Sequence, residues 1–162
     1  MGARWQTIHA DRGDTLLAKV IALDPSFHGV PVDVFRIAGW LGVGVSLDPS
    51  TSAWGELRWE GGRPVIRLRA SDALVRQRFS CAHELGHLFL HGEGHHFRDD
   101  NATLGTDPKE VAANRFAADL LMPANWVQEL NWPEIDLVGS ARSFGVSQAA
   151  MEVRLRSLRM IP

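Results

Sequence analysis

The sequence predicts an α+β fold: mostly helical, with a small antiparallel sheet of two to three strands and a helix-turn-helix-like pair of helices at its C-terminal end. Three observations carry this. Apolar residues recur at helical spacing in several separate segments. Short alternating runs, two of them flanking a Gly-Gly pair, are confined to residues 43–70. Near the end, "FGVS" places a glycine turn and a capping serine between two helical stretches. The 162 residues suffice for one sizeable core, and a content of 45% hydrophobic and 22% charged residues excludes a disordered or fibrous chain.

In chain order, Ile8, Leu16, Leu17, Val20, Ile21 and Leu23 suit an amphipathic helix over residues 7–23, which Asp24-Pro25 ends. "PVDVFRIAGWLG" starts a second near Pro31, acceptable in a first turn, and Gly42 stops it. "VGVSL", "WGELRW" and "PVIRLRA" read as strands, the last two joined by a hairpin at Gly61-Gly62. Ser71 or Asp72 can cap a helix over 73–91 that Gly92 terminates. "GEGHHFRDDNATLGT" has few apolar residues and reads as a loop beside a site. "DPKEVAANRFAADLLMP" is a helix with Asp107 as N-cap, Pro108 in its first turn and Pro123 after it. Helical stretches over 124–130, 134–143 and 147–158 follow, with no internal repeat.

A formal net charge of −2 gives no general reason to expect a nucleic acid or membrane surface as partner. "MGARWQTIHADRGD" has no apolar core of the kind a signal peptide needs, and no run approaches the roughly 20 apolar residues of a membrane span. The single cysteine, Cys81, excludes an intrachain disulfide and a cysteine-based zinc finger. The expected location is cytoplasmic.

The chemistry lies in "SCAHELGHLFLH", where His83, Glu84 and His87 form an H-E-x-x-H within an otherwise apolar helix. Four positions apart on a helix, the two imidazoles project from one face and can share an ion. A catalytic zinc takes three protein ligands and keeps a position open for water, whose proton Glu84 can accept without ligating. Without such a partner, three polar side chains among Leu85, Leu88, Phe89 and Leu90 would be costly to bury.

A third ligand must come from elsewhere. Glu110 is the best candidate, with Asn114 one turn later as a supporting group; but Asp107-x-x-Glu110 is also capping-box spacing, and spacing alone leaves both roles open. His91, Glu93, His95 and His96 compete for the role. Gly86 provides space either for a substrate or backbone to approach or for tight helix packing, and Cys81 reads as a small core residue. The developing oxyanion needs a donor, for which His91, His95, His96, Arg115 and the metal itself are candidates, since the chain has no tyrosine. Zinc follows from ligand type; manganese and iron fit less well.

"RQRFSCAHELGHLFLHG" followed by "EVAANRFAADLLMP" closely resembles the ImmA/IrrE-type metallopeptidases, and the similarity extends to "VDVFRIAGWLGVGVSL" and "ARSFGVSQAAMEVRLRSL". The resemblance implies a zincin-like (gluzincin-like) peptidase domain over residues 1–126, with helix-turn-helix-like helices over 127–162 packed on it. It implies zinc held by His83, His87 and Glu110, with Glu84 as general base. It also implies a substrate class, a helix-turn-helix repressor whose cleavage switches on a mobile element or a stress or DNA-damage response. Two departures stand out: Ala112 occupies a position that is acidic in many members, and the chain stops at Pro162 without the sensing domain some members carry.

The alternative is a DNA-binding regulator with a dormant or structural metal site. Ser147 as helix cap and Arg142, Arg154, Arg156 and Arg159 against Glu152 give the C-terminal helices a locally basic outline. Four arginines are a thin phosphate-binding footprint, however. A purely structural zinc would need a fourth ligand, such as His91 or His95, and has no use for Glu84.

Overall fold

A computed structural model of the chain describes residues 3–92, 97–99, 107–130 and 134–162. Among these, eight α-helices and four strands form an α+β fold. The first predicted helix, over 7–23, begins only at Gly13: α2 (Gly13–Leu23) ends where expected, and a separate turn, α1 (Arg4–Thr7), precedes it. A Cβ on Gly13 would lie 2.1 Å from the Phe116 carbonyl oxygen and 2.5 Å from the Leu120 nitrogen, so α2 starts where its backbone presses on another helix. Next, α3 (Val34–Leu41) begins later than predicted, because Asp33 accepts from the Arg36 N–H at 3.2 Å and leaves Pro31 outside, after a cis Val30–Pro31 bond.

Strands β1 (Gly44–Asp48), β2 (Gly55–Glu60), β3 (Arg63–Arg69) and β4 (Phe97–Asp99) form one sheet in the order β1-β3-β2-β4. The β2–β3 hairpin turns at Gly61 and Gly62, with φ of 59° and 78°, values that favour glycine. The expectation of a purely antiparallel sheet fails at β1, which runs parallel to β3 with Val45 opposite Ile66 and Leu47 opposite Leu68. With β2 already on one side of β3, β1 takes the other, and the chain crosses between them through residues 49–54. The strand β4 lies in the stretch expected to be a loop; it pairs with β2 through backbone at Gly55 to Leu57, which needs no apolar pattern.

Helix α4 (Leu74–His91) is the centre of the molecule: every residue from Ser80 to Leu88 is buried, so it is enclosed on all sides. Ala73 is its N-cap, and neither expected capping residue serves; Asp72 instead accepts from Arg69 Nε at 2.8 Å. The hairpin covers one side of α4. Helix α5 (Pro108–Leu121) covers another, crossing so closely that a Cβ on Gly86 would lie 3.1 Å from Phe116 Cβ and 3.2 Å from Ala113 Cα. Between the two expectations for Gly86, the structure shows tight helix packing against a neighbouring backbone.

Helices α6 (Ala124–Gln128), α7 (Leu137–Phe144) and α8 (Gln148–Ser157) complete the chain, and Met151 and Leu155 join the same core as Leu16, Ile66, Leu85 and Phe116. Two buried arginines fasten this end. Arg78 on α4 donates to the carbonyls of Gly145 at 2.9 Å and Val32 at 2.7 Å. Arg154 on α8 donates from Nε to the Met122 carbonyl at 2.8 Å and pairs with Asp119 at 2.9 Å. Among the described residues no helix is long and apolar enough to cross a membrane.

Candidate metal centre

Helical periodicity sets the first two side chains of the site. His83 and His87, one turn apart on α4, are fully buried with ring centroids 4.7 Å apart and Nε2 atoms 3.1 Å apart. The α4–α5 crossing at Gly86 brings Glu110 to them: its Oε2 lies 2.8 Å from His83 Nε2 and its Oε1 3.0 Å from His87 Nε2. The carboxylate thus spans the two imidazoles, while the N-cap of α5 is served by Asp107, which accepts from the Lys109 N–H at 2.8 Å. Asn114 lies one turn further along α5, but it supports a histidine rather than the carboxylate: His83 Nδ1–H donates to Asn114 Oδ1 at 2.8 Å.

That hydrogen bond orients the first imidazole. The Asn114 contact turns His83 so that Nε2 faces Glu110 Oε2, the direction in which the two would hold a shared cation. Burial, reinforced by His83, pushes the His87 imidazole down to about 4, which favours its neutral, ligating form. Burial would raise the Glu110 carboxyl, but hydrogen bonds and charge from the two imidazoles outweigh it and hold the group below its ordinary range. Donor atoms around a tetrahedral zinc, at bonds of roughly 2.0–2.1 Å, stand about 3.3 Å apart, so these three need open by only a few tenths of an ångström. His83, His87 and Glu110 therefore fit a divalent cation, and they are the group of buried donors that converges among the described residues.

Glu84, next to His83 in the chain, is fully buried, with its carboxylate against Gly55 at the start of β2. His91 is half-buried on the next turn of α4, its ring centroid 5.2 Å from that of His87, and does not join the group of three. Arg115 is exposed on α5. The other competitors, Glu93, His95 and His96, lie outside the described residues. Cys81 is fully buried; burial, then the proximity of Glu84, pushes its thiol up, as befits a core residue. Sequence reasoning missed Gly55 of β2, where an added Cβ would lie 3.2 Å from Glu84 Oε1. A glycine opening an otherwise β-rich run was the available signal of a close approach.

Comparison with known proteins places this geometry in context. A 50-residue stretch, 30% of this chain, is 44% identical to an uncharacterized immunity region protein 2 of Bacillus phage phi105, of which it spans 31%. A transcriptional regulator of Mycobacterium tuberculosis superposes with a TM-score of 0.59 at 17% identity, over 91% of this chain and 47% of the regulator. The chain thus covers less than half of either protein, and the second likeness is one of fold. The family described as the IrrE N-terminal-like domain, of the M78 peptidases, matches residues 26–156. Since that span takes in both helices of the candidate metal centre and most of the chain, the protein belongs to the IrrE N-terminal-like family of M78 peptidases.

Proposed function

We propose that the chain is a zinc-dependent endopeptidase that cleaves a helix-turn-helix transcriptional repressor in the cytoplasm, with His83, His87 and Glu110 as metal ligands and Glu84 as general base. The observation that carries the reading is the Glu110 carboxylate spanning two buried imidazole nitrogens at 2.8 and 3.0 Å, with a fourth polar residue, Glu84, buried and next to His83 in the chain. A bound zinc would supply Lewis acidity, lowering the pKa of a water to near 7 and polarising the scissile carbonyl. Glu84 accepts the proton of the attacking water on a carboxylate oxygen and returns it to the departing amide nitrogen. Asn114 holds His83 in the tautomer that leaves Nε2 for the metal. The enclosed position of Glu84 on α4, away from bulk water, strengthens its electrostatic role.

A division of labour at residue 126, peptidase before it and helix-turn-helix-like docking helices after it, belongs to the same proposal. Direct DNA binding by those helices finds less support: of the four arginines, Arg154 is buried on Asp119, and Arg156, though exposed, is engaged with Glu152 at 2.8 Å. The test is metal content together with co-expression of helix-turn-helix repressors, wild type beside Glu84→Gln. One zinc per chain and cleavage lost only in the variant are expected. Metal-free protein, or cleavage that survives Glu84→Gln, would refute the reading.

A further inference from the structure

We infer that Gly55 is a positioning residue for Glu84, the lack of a side chain at the first position of β2 leaving the space in which the Glu84 carboxylate lies. The inference deepens the proposed function and rests on Glu84 being the general base.

Gly55 is buried and its backbone does not require glycine, because its φ lies outside the left-handed region occupied by Gly42, Gly61 and Gly62. What a side chain would meet is Glu84. A Cβ at residue 55 would stand 3.2 Å from Glu84 Oε1, 3.3 Å from Glu84 Cγ and 3.4 Å from Ser80 Cβ. Carbon atoms in contact prefer about 3.5–4.0 Å, so a methyl group there forces a displacement.

Neither backbone is free to provide it. Gly55 is paired on both sides, with Leu68 of β3 and Asp99 of β4, so β2 cannot withdraw without breaking two ladders. Helix α4 cannot withdraw either. Gly86, about 200° further round the helix from Glu84, already lies against Ala113 and Phe116, where an added Cβ would stand 3.1 to 3.2 Å from its neighbours. The helix is held between β2 and α5. The group left to move is the Glu84 side chain, with its rotatable bonds, by a few tenths of an ångström; since a misplacement of about 1 Å can cost about 100-fold in rate, a shift of this size costs a fraction of that.

The test compares Gly55→Ala with Gly44→Ala, a strand variant of matched crowding away from the site, where the added Cβ would stand 3.2 Å from Val65 Cγ2. The first readout is the side-chain carboxyl 13C resonance of Glu84, assigned by its loss in Glu84→Gln, in the full chain without metal and with zinc. It is expected to move in Gly55→Ala and stay in place in Gly44→Ala, with zinc content unchanged in both. The second is turnover of the repressor found by co-expression, or of fluorescein-labelled casein: kcat falls about 3- to 10-fold in Gly55→Ala with KM within about twofold. A Glu84 resonance identical to wild type in Gly55→Ala would overturn the inference. If wild type cleaves neither probe, or Glu84→Gln still cleaves, the base assignment fails while the resonance still decides the role of Gly55. Should Gly55→Ala not fold, Gly55→Ala/Glu84→Ala is expected to fold, since the obstruction is gone; failure of the double variant too would overturn the inference.

Discussion

Replacing Arg78 by methionine is expected to cost the protein about 3 kcal/mol. The side chain is buried and its guanidinium donates to Gly145 O at 2.9 Å and Val32 O at 2.7 Å, with Phe144 O further off at 3.4 Å. Hydrogen bonds from a charged donor contribute about 1.5–3 kcal/mol each, so the two short ones give about 3–6 kcal/mol. Against this stands the burial of the cation itself, which lowers the pKa of Arg78 and is relieved by a neutral residue. The position at the C-terminal end of α7 recovers part of that burial cost, since a cation there faces the negative end of the helix dipole. Methionine fills similar volume but leaves buried carbonyls without their donor, so the net loss stays near the lower end of the range. Urea unfolding at pH 7 measures it directly, and a thermal shift of about 6–12 °C downward should accompany it for a domain of this size. Lysine, which keeps the charge but not the fork, should lose roughly half as much. A methionine variant within about 0.5 kcal/mol of wild type would show that the guanidinium does not hold the α7–α8 turn to α4.

Asn114→Ala removes the acceptor from His83 Nδ1 and should weaken zinc binding about 10- to 100-fold in a chelator competition, whereas Asn114→Asp should retain it. Gly86→Ala gains about 1 kcal/mol of helix propensity but crowds Phe116 and Ala113 at a cost of about 1–3 kcal/mol, so a small net loss of stability is expected in urea. For the metal-free protein, His87 binds a proton near 6.5 when unfolded and near 4 when folded. The unfolded state therefore holds more protons between those values, and stability falls as pH is lowered through that window, by at most about 1.4 kcal/mol per pH unit for this group. The depressed Glu110 carboxyl adds loss of the same sign at lower pH. His87→Gln should flatten the upper part of the profile.

The pair of histidines was legible because helical spacing is local: His83, Glu84 and His87 need nothing but α4 to be neighbours. Glu110 was legible only as a candidate, since its meeting with the histidines depends on how closely α5 crosses α4, and that distance is decided by Gly86, Ala113 and Phe116 together. Capping residues misled at α4, because Asp72 found Arg69 before it found a helix end. Strand identity was readable in β1, β2 and β3, yet pairing was not: alternation marks a strand but not its partner, so the parallel β1–β3 ladder and β4 were beyond reach. The role of Gly55 is nonlocal in the same way.

The order β1-β3-β2-β4 also dictates a sequence of assembly. The β2–β3 hairpin closes through Gly61 and Gly62, a contact between near neighbours, and can form early. For β1 the partner is β3, with Val45 opposite Ile66, so its ladder must wait until the chain has passed through 49–54 and β2 and turned back. Helix α4 is synthesised after all three strands, so a nascent chain that has just delivered Arg69 still lacks the helix against which Leu57, Ile66 and Leu68 are buried. In that interval the apolar face of β2 and β3 lacks its helix, and the growing chain is vulnerable to association with others there. The helix that bears the histidines thus shields the sheet before α5 arrives to bring Glu110 to them.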